Sequence, residues 1–153
     1  MWMIGDIPKE KEYDELIDLA ARVCKEFILV KRPSLHLNKT AENLLNELKP
    51  FLVEIKKQQS WPGTELLRGY GIVYYYKLNE VSKELLKKHC RNLYMWRKPI
   101  LLEDLCFLKE GRKPWLNNVC HEKFSWITNE TDDEIAMLKS IKGIKLIKKE
   151  EYY

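Results

Sequence analysis

Cys120, His121 and Glu122 stand side by side in the stretch EDLCFLKEGRKPWLNNVCHEKFSWI, residues 103 to 127. A thiol, an imidazole and a carboxylate are the groups of nucleophilic catalysis, and thiol and imidazole also bind zinc. On a strand, however, consecutive side chains point to opposite faces. Read as a strand over 117–127, the segment puts Cys120, Glu122, Phe124 and Trp126 on one side, with Val119, His121, Lys123, Ser125 and Ile127 on the other. Cys120 and His121 then cannot pair with each other, and an enzyme would need a base from elsewhere, His89 or His36. The catalytic candidates are therefore Cys120, His121, Glu122 and His89. The face with Phe124 and Trp126 is expected to be buried, which makes Cys120 a core thiol and obliges Glu122 to find a partner. Leu116, Val119, Cys120, Phe124 and Ile127 also approximate a helical stripe, so a helix over 117–127 stays open.

His89, Cys90, Cys106, Cys120 and His121 could each ligate zinc. Zinc sites usually take two ligands from one tight turn, whereas here adjacent pairs are separated by long segments. No metal is expected, and no cofactor: the chain has no Gly-rich phosphate loop, no G-x-S-x-G and no H-E-x-x-H. Asp132, Asp133 and Glu134 form an acidic cluster, but they follow Thr131 as a capping box, where the helix dipole favours negative charge.

The elements that must position these residues follow from periodicity. Tyr13, Leu16, Ile17, Ala20, Ala21, Cys24, Phe27 and Ile28 form one apolar stripe and predict a helix over 9–30, ended by Pro33. Leu44, Leu45, Leu48, Leu52 and Ile55 predict a second helix over 40–59, kinked or split by Pro50. Trp61-Pro62-Gly63-Thr64 reads as a turn. Strands are expected at 70–77, 104–109, 117–127 and 144–148, with helices at 80–93, capped by Asn79, and after Thr131, closed by Gly143. From residue 70 the order is strand, helix, strand, strand, helix, strand. That predicts an α+β fold, a four-stranded antiparallel sheet in ferredoxin-like βαββαβ order over 70–148. Two extra N-terminal helices within 1–60 would pack on it, making residues 1–153 one domain.

The chain of 153 residues carries 27 basic and 23 acidic side chains, a formal net charge of +4. Both signs are mixed along it, so nucleic acid is not implied. Lys83, Lys87, Lys88, Arg91, Arg97 and Lys98 gather near Tyr94 and Trp96, but Glu80 and Glu84 share the helix, which reads as a solvated face. No apolar run approaches the ~20 residues of a membrane span. The start, MWMIGDIPKEKEYDEL, lacks the features of a secretory signal, and the four cysteines are widely spaced. A cytoplasmic protein with reduced thiols is expected.

Aromatic residues are the more unusual feature. Tyr74, Tyr75 and Tyr76 are consecutive, so a strand there turns at least one away from the core. Trp61, Trp96 and Trp115 fall in or beside predicted loops. Exposed Tyr and Trp are what protein-binding surfaces use, so these six are the partner-binding candidates; the alternative is that the tryptophans fold back as plugs over the sheet ends. WPGT at 61–64, VYYYKLN at 73–79, EDLCFLKEG at 103–111, WL at 115–116 and HE at 121–122 together resemble small cytoplasmic proteins of Gram-positive bacteria. The resemblance spans about residues 60–127 and implies no catalytic residues. The expectation is a non-enzymatic module that docks another protein, an immunity-type protein neutralising a toxin being one form. The alternative is a small enzyme using Cys120 with a spatially adjacent histidine. Oligomeric state is left open.

Overall fold

Phe27, Ile28, Leu29 and Val30 are four consecutive apolar residues, and each is fully buried. A strand covered on both faces can do this, whereas a helix with one buried stripe cannot. That run sets the architecture of the computed structural model, which describes residues 1–33, 36–97 and 101–150. In chain order the elements are β1 (Trp2–Ile4), α1 (Lys11–Val23), β2 (Glu26–Lys31), α2 (Lys39–Leu48), β3 (Leu52–Gln58), β4 (Ser60–Trp61), β5 (Thr64–Glu65), β6 (Gly71–Lys77), α3 (Glu80–His89), β7 (Glu103–Lys109), β8 (Lys113–Val119), β9 (Phe124–Ile127), α4 (Asp132–Lys139) and β10 (Leu146–Lys148). Among the described residues no helix is long and apolar enough to cross a membrane.

Eight strands form one sheet in the order β10-β1-β9-β8-β7-β2-β6-β3, and every neighbouring pair is antiparallel. The expected four-stranded ferredoxin-like sheet is thus corrected: the sheet is twice as wide and draws three strands from the N-terminal part. Two connections explain the resemblance of the element order. β6 and β7 run parallel, joined by α3, with β2 inserted between them. β9 and β10 likewise run parallel, joined by α4, with β1 inserted between them. Each is a split β-α-β unit, but the inserted strand comes from the N-terminus instead of from the other unit.

Both long N-terminal helices expected from the sequence are shorter than predicted. The first ends at Val23 because the stripe Tyr13, Leu16, Ile17 and Ala20 is satisfied there, and Cys24 already has extended backbone. The second ends in a 3-10 turn at Lys49–Phe51 that carries Pro50, after which Leu52–Gln58 extends as β3. Proline removes the donor that would continue the helix. Asn79 and Thr131 both make capping boxes at their helices, and Trp61 pairs with Thr64 across the Pro62-Gly63 turn.

The helices cover one face of the sheet. Phe27, Leu29, Tyr76, Leu105 and Phe107 point into this face with the stripes of α1, α2 and α3. The opposite face is smaller: Ile28, Val30, Val73, Tyr75, Cys106 and Leu108 pack there around Trp61. Among the described residues, the β4–β5 hairpin lies over it. Gly63 has φ +86, and a Cβ there would come within 2.9 Å of Trp126 and 3.0 Å of Val119. Glycine at that turn therefore serves both the left-handed backbone and the close approach of the hairpin.

Candidate functional site

Residues 120 to 122 are neither strand nor α-helix. They form a 3-10 turn between β8 and β9, and Lys123 closes it in left-handed backbone. The expected uninterrupted strand over 117–127 is corrected, and with it the assignment of faces. Ser125 and Ile127 are the buried side of β9, while Phe124 and Trp126 stay partly exposed. The turn changes the alternation, so Cys120 is buried without sharing a face with Trp126.

The three adjacent chemical groups separate accordingly. Cys120 is 1% exposed. Its thiol donates to the Leu93 carbonyl at 3.5 Å and accepts from the Asn118 amide at 3.2 Å. Burial pushes this thiol far above its ordinary pKa, and the nearby Asp104 carboxylate adds to the rise. A thiolate is the reactive form, so the surroundings disfavour it. His121 and Glu122 project outward, their side chains 58% and 65% exposed and 3.9 Å apart. His89 is engaged with Glu47 at 2.7 Å, between α3 and α2. No imidazole is hydrogen-bonded to Cys120 among the described residues. Among those residues, too, no group of three His, Cys, Asp or Glu side chains is arranged to hold a metal ion.

The structure instead assembles a cluster that the sequence did not suggest. Between Val30↔Glu103 and Ile28↔Cys106, two residues of β7, Asp104 and Leu105, face the single Leu29 of β2, an irregularity with the form of a β-bulge. Asp104 occupies it with φ 53, a conformation that Asp tolerates better than most residues. Its fully buried side chain lies on the same side as Cys106 and meets Trp61, whose indole N–H donates to Oδ2 at 3.1 Å. The backbone N–H of Cys120 donates to Oδ1 at 3.0 Å. Burial raises the carboxyl above its ordinary value, and the donors Cys120 N–H and Trp61 N–H counter part of that rise. Glu103 beside it is 6% exposed and pairs with Arg32 at 3.1 Å, while the Arg32 guanidinium lies 4.9 Å above the Trp61 ring. The result is a clasp: Asp104 joins the hairpin, the β7 bulge and the 120–122 turn. Neither carboxylate carries a periodicity signal, which is why pattern reading passed over them.

The aromatic candidates are mostly interior. Trp61, Trp96, Trp115, Tyr75 and Tyr76 are all buried, and Tyr74 is half-buried. Each buried indole N–H has an internal acceptor: Asp104 for Trp61, the Tyr13 hydroxyl for Trp96 at 3.1 Å and Glu134 for Trp115 at 3.0 Å. Buried Trp usually needs such a partner. Four of the basic residues around α3 are likewise engaged. Lys83 and Lys87 both reach Asp18, Lys88 reaches Glu47, and Arg91 reaches Asp14; Lys98 lies outside the described residues. A groove of about 260 Å³ between α1 and α4, lined in part by Asp18, Arg22, Met137 and Ser140, lies beside the same Asp18.

Leu67 and Val81 are exposed outside the eight-stranded sheet, and on the sheet itself apolar side chains reach the surface in two places. On the sheet face opposite the helices, Phe124, Trp126, Met3 and Ile147 form a row across β9, β1 and β10. Met3 faces Trp126 on one side and Ile147 on the other, and the Phe124 and Trp126 rings are 4.9 Å apart. The second place is β3, the outer strand, where Val53 is 55% and Ile55 51% exposed. No protein-family model matches the chain, and no curated protein or solved structure matches it.

Proposed function

We propose that this protein is a non-enzymatic binding module that docks another protein on the sheet face opposite its helices. The row Phe124–Trp126–Met3–Ile147 carries the proposal. Its neighbours on β1 and β9, Trp2, Ile4 and Ile127, turn into the helix-covered core, so the row is the complementary side, which the β4–β5 hairpin approaches at its Trp126 end, through Gly63. Aromatic and methionine side chains on an ordered sheet are what protein interfaces favour at their centre. They are preorganised by strand pairing, so little conformational freedom is lost on docking. The thiol chemistry that an enzyme would need finds no support around Cys120, because its proton is held in a buried hydrogen bond to Leu93.

The test is site-specific photo-crosslinking in the producing cell. A benzophenone side chain at Ile147 should give one discrete adduct, and the same probe at exposed Val81 on α3 should not. Trp126→Asp should abolish the adduct while the chain still melts cooperatively, at a lower temperature because Trp126 also packs on Gly63 and Phe124. Identical adducts from both positions, none from either, or an adduct that survives Trp126→Asp would sink the proposal.

A further inference from the structure

The outer strand β3 reads LVEIKKQ, and on its outer side it has no partner strand among the described residues. An exposed strand edge offers unpaired backbone donors and acceptors to any extended chain, and proteins usually blunt it. At the opposite margin of the sheet, β10 is only three residues long; it ends in Lys148 and is flanked by Lys145 and Lys149. The β3 edge is seven residues long and exposes two β-branched side chains. Its Lys56 and Lys57 repel strands of the wrong charge pattern, so whatever pairs there must place acceptable groups opposite them.

We infer that a second copy of this chain is that partner: two β3 strands pair antiparallel about a two-fold axis, with Ile55 facing Ile55. The register follows from geometry and charge. Side chains on paired strands must share a face, so in a two-fold antiparallel pair one residue always faces its own copy. Centring on Glu54 would set carboxylate against carboxylate. Centring on Lys56 or Lys57 would set ammonium against ammonium. Centring on Val53 would leave the second half of the strand unpaired. Centring on Ile55 sets Glu54 opposite Lys56 on both sides of the axis, within the regular part of the strand that follows the irregularity at Val53. That is the self-complementary pattern expected of an isologous interface, and opposite charges facing across strands are favourable. Glu54 is already oriented, because Arg112 binds it at 2.7 Å and Glu26 at 3.0 Å. Pairing would join two eight-stranded sheets into one continuous sheet. This surface is separate from the apolar row on β9, β1 and β10.

Sedimentation equilibrium of the full chain over about 1 µM to 500 µM tests it. The parent should show a concentration-dependent monomer–dimer equilibrium. Lys56→Glu sets two pairs of carboxylates face to face and should weaken the dimer about tenfold or more; Glu54→Lys should do the same with ammonium groups. Mixing the two variants should restore a dimer, because each then meets its opposite charge. That rescue also shows that both variants are folded. A parent that stays monomeric throughout, a Lys56→Glu variant that dimerises like the parent, or a mixture no better than its components would each overturn the inference. Crosslinking at Ile147 reports on the other surface, so the two proposals fail separately.

Discussion

The two faces of the sheet are held by different means. Under the helices, Phe27, Phe107 and Tyr76 lie together, with ring centroids 5.1 Å apart for Phe27–Tyr76 and 6.3 Å for Phe27–Phe107. Cohesion there comes from buried area, which is insensitive to small changes of angle and to pH. On the other face a small hairpin is fastened by a few directed contacts: Trp61 to Asp104, Arg32 over Trp61, and the Cys106 thiol toward the Pro62 carbonyl at 3.7 Å. Directed contacts contribute little in sum, but each is expensive to leave half-made. The difference teaches where this protein is robust and where it should respond to protonation.

Truncating the area-held face should have the largest effect. Phe107→Ala should destabilise by about 3–5 kcal/mol, through lost burial and a residual cavity, and the loss should be the same at pH 4 and pH 7.5. Denaturant unfolding at both values checks this.

On the clasped face, Trp61→Phe preserves most of the ring but removes the indole donor. It should destabilise by about 1–3 kcal/mol at neutral pH, because a buried carboxylate then keeps only the Cys120 N–H. The pH dependence has a definite sign. The Asp104 pKa is raised in the folded state by burial, so the folded chain binds this proton more tightly than the unfolded one. Its contribution to stability is greatest below the ordinary value of 3.8 and falls as pH climbs through the raised folded value. The penalty of Trp61→Phe should accordingly shrink from pH 7.5 toward pH 4, as falling pH favours the protonated carboxyl. A penalty equal at both pH values would mean that ring packing, not the hydrogen bond, holds the hairpin.

Smaller effects are expected at Cys120 and His121. Cys120→Ser should cost about 1–2 kcal/mol, since the shorter C–O bond pulls the hydroxyl back from Leu93 in a buried site. It should not reduce partner crosslinking at Ile147. His121→Gln should change stability by less than about 0.5 kcal/mol, because the ring is exposed and its neighbour Glu122 is too. If Cys120→Ser melted like the parent yet abolished crosslinking, the thiol would have a role in binding that packing does not supply.

Much of the local structure is legible in the sequence because it rests on local chemistry. Asn79 and Thr131 cap helices whatever surrounds them, VYYYK extends because β-branched and aromatic residues suit a pleated surface, and Pro50 interrupts the second helix. Side chains of adjacent residues diverge, and that alone argues against a Cys120–His121 pair. What the tertiary structure alone decided was pairing. FILV at 27–30 completes an apolar helical stripe as well as it fills a strand, and only the availability of β6 and β7 on either side makes it β2. The insertion of β1 and β2 into two split β-α-β units joins residues far apart in the chain, which no period of 2 or 3.6 records. Asp104 and Trp61 are ordinary in sequence; they become partners because Asp104 lies on the same side of β7 as Cys106 and Leu108, the side over which the hairpin folds, and the one-residue bulge keeps Glu103 on that side as well.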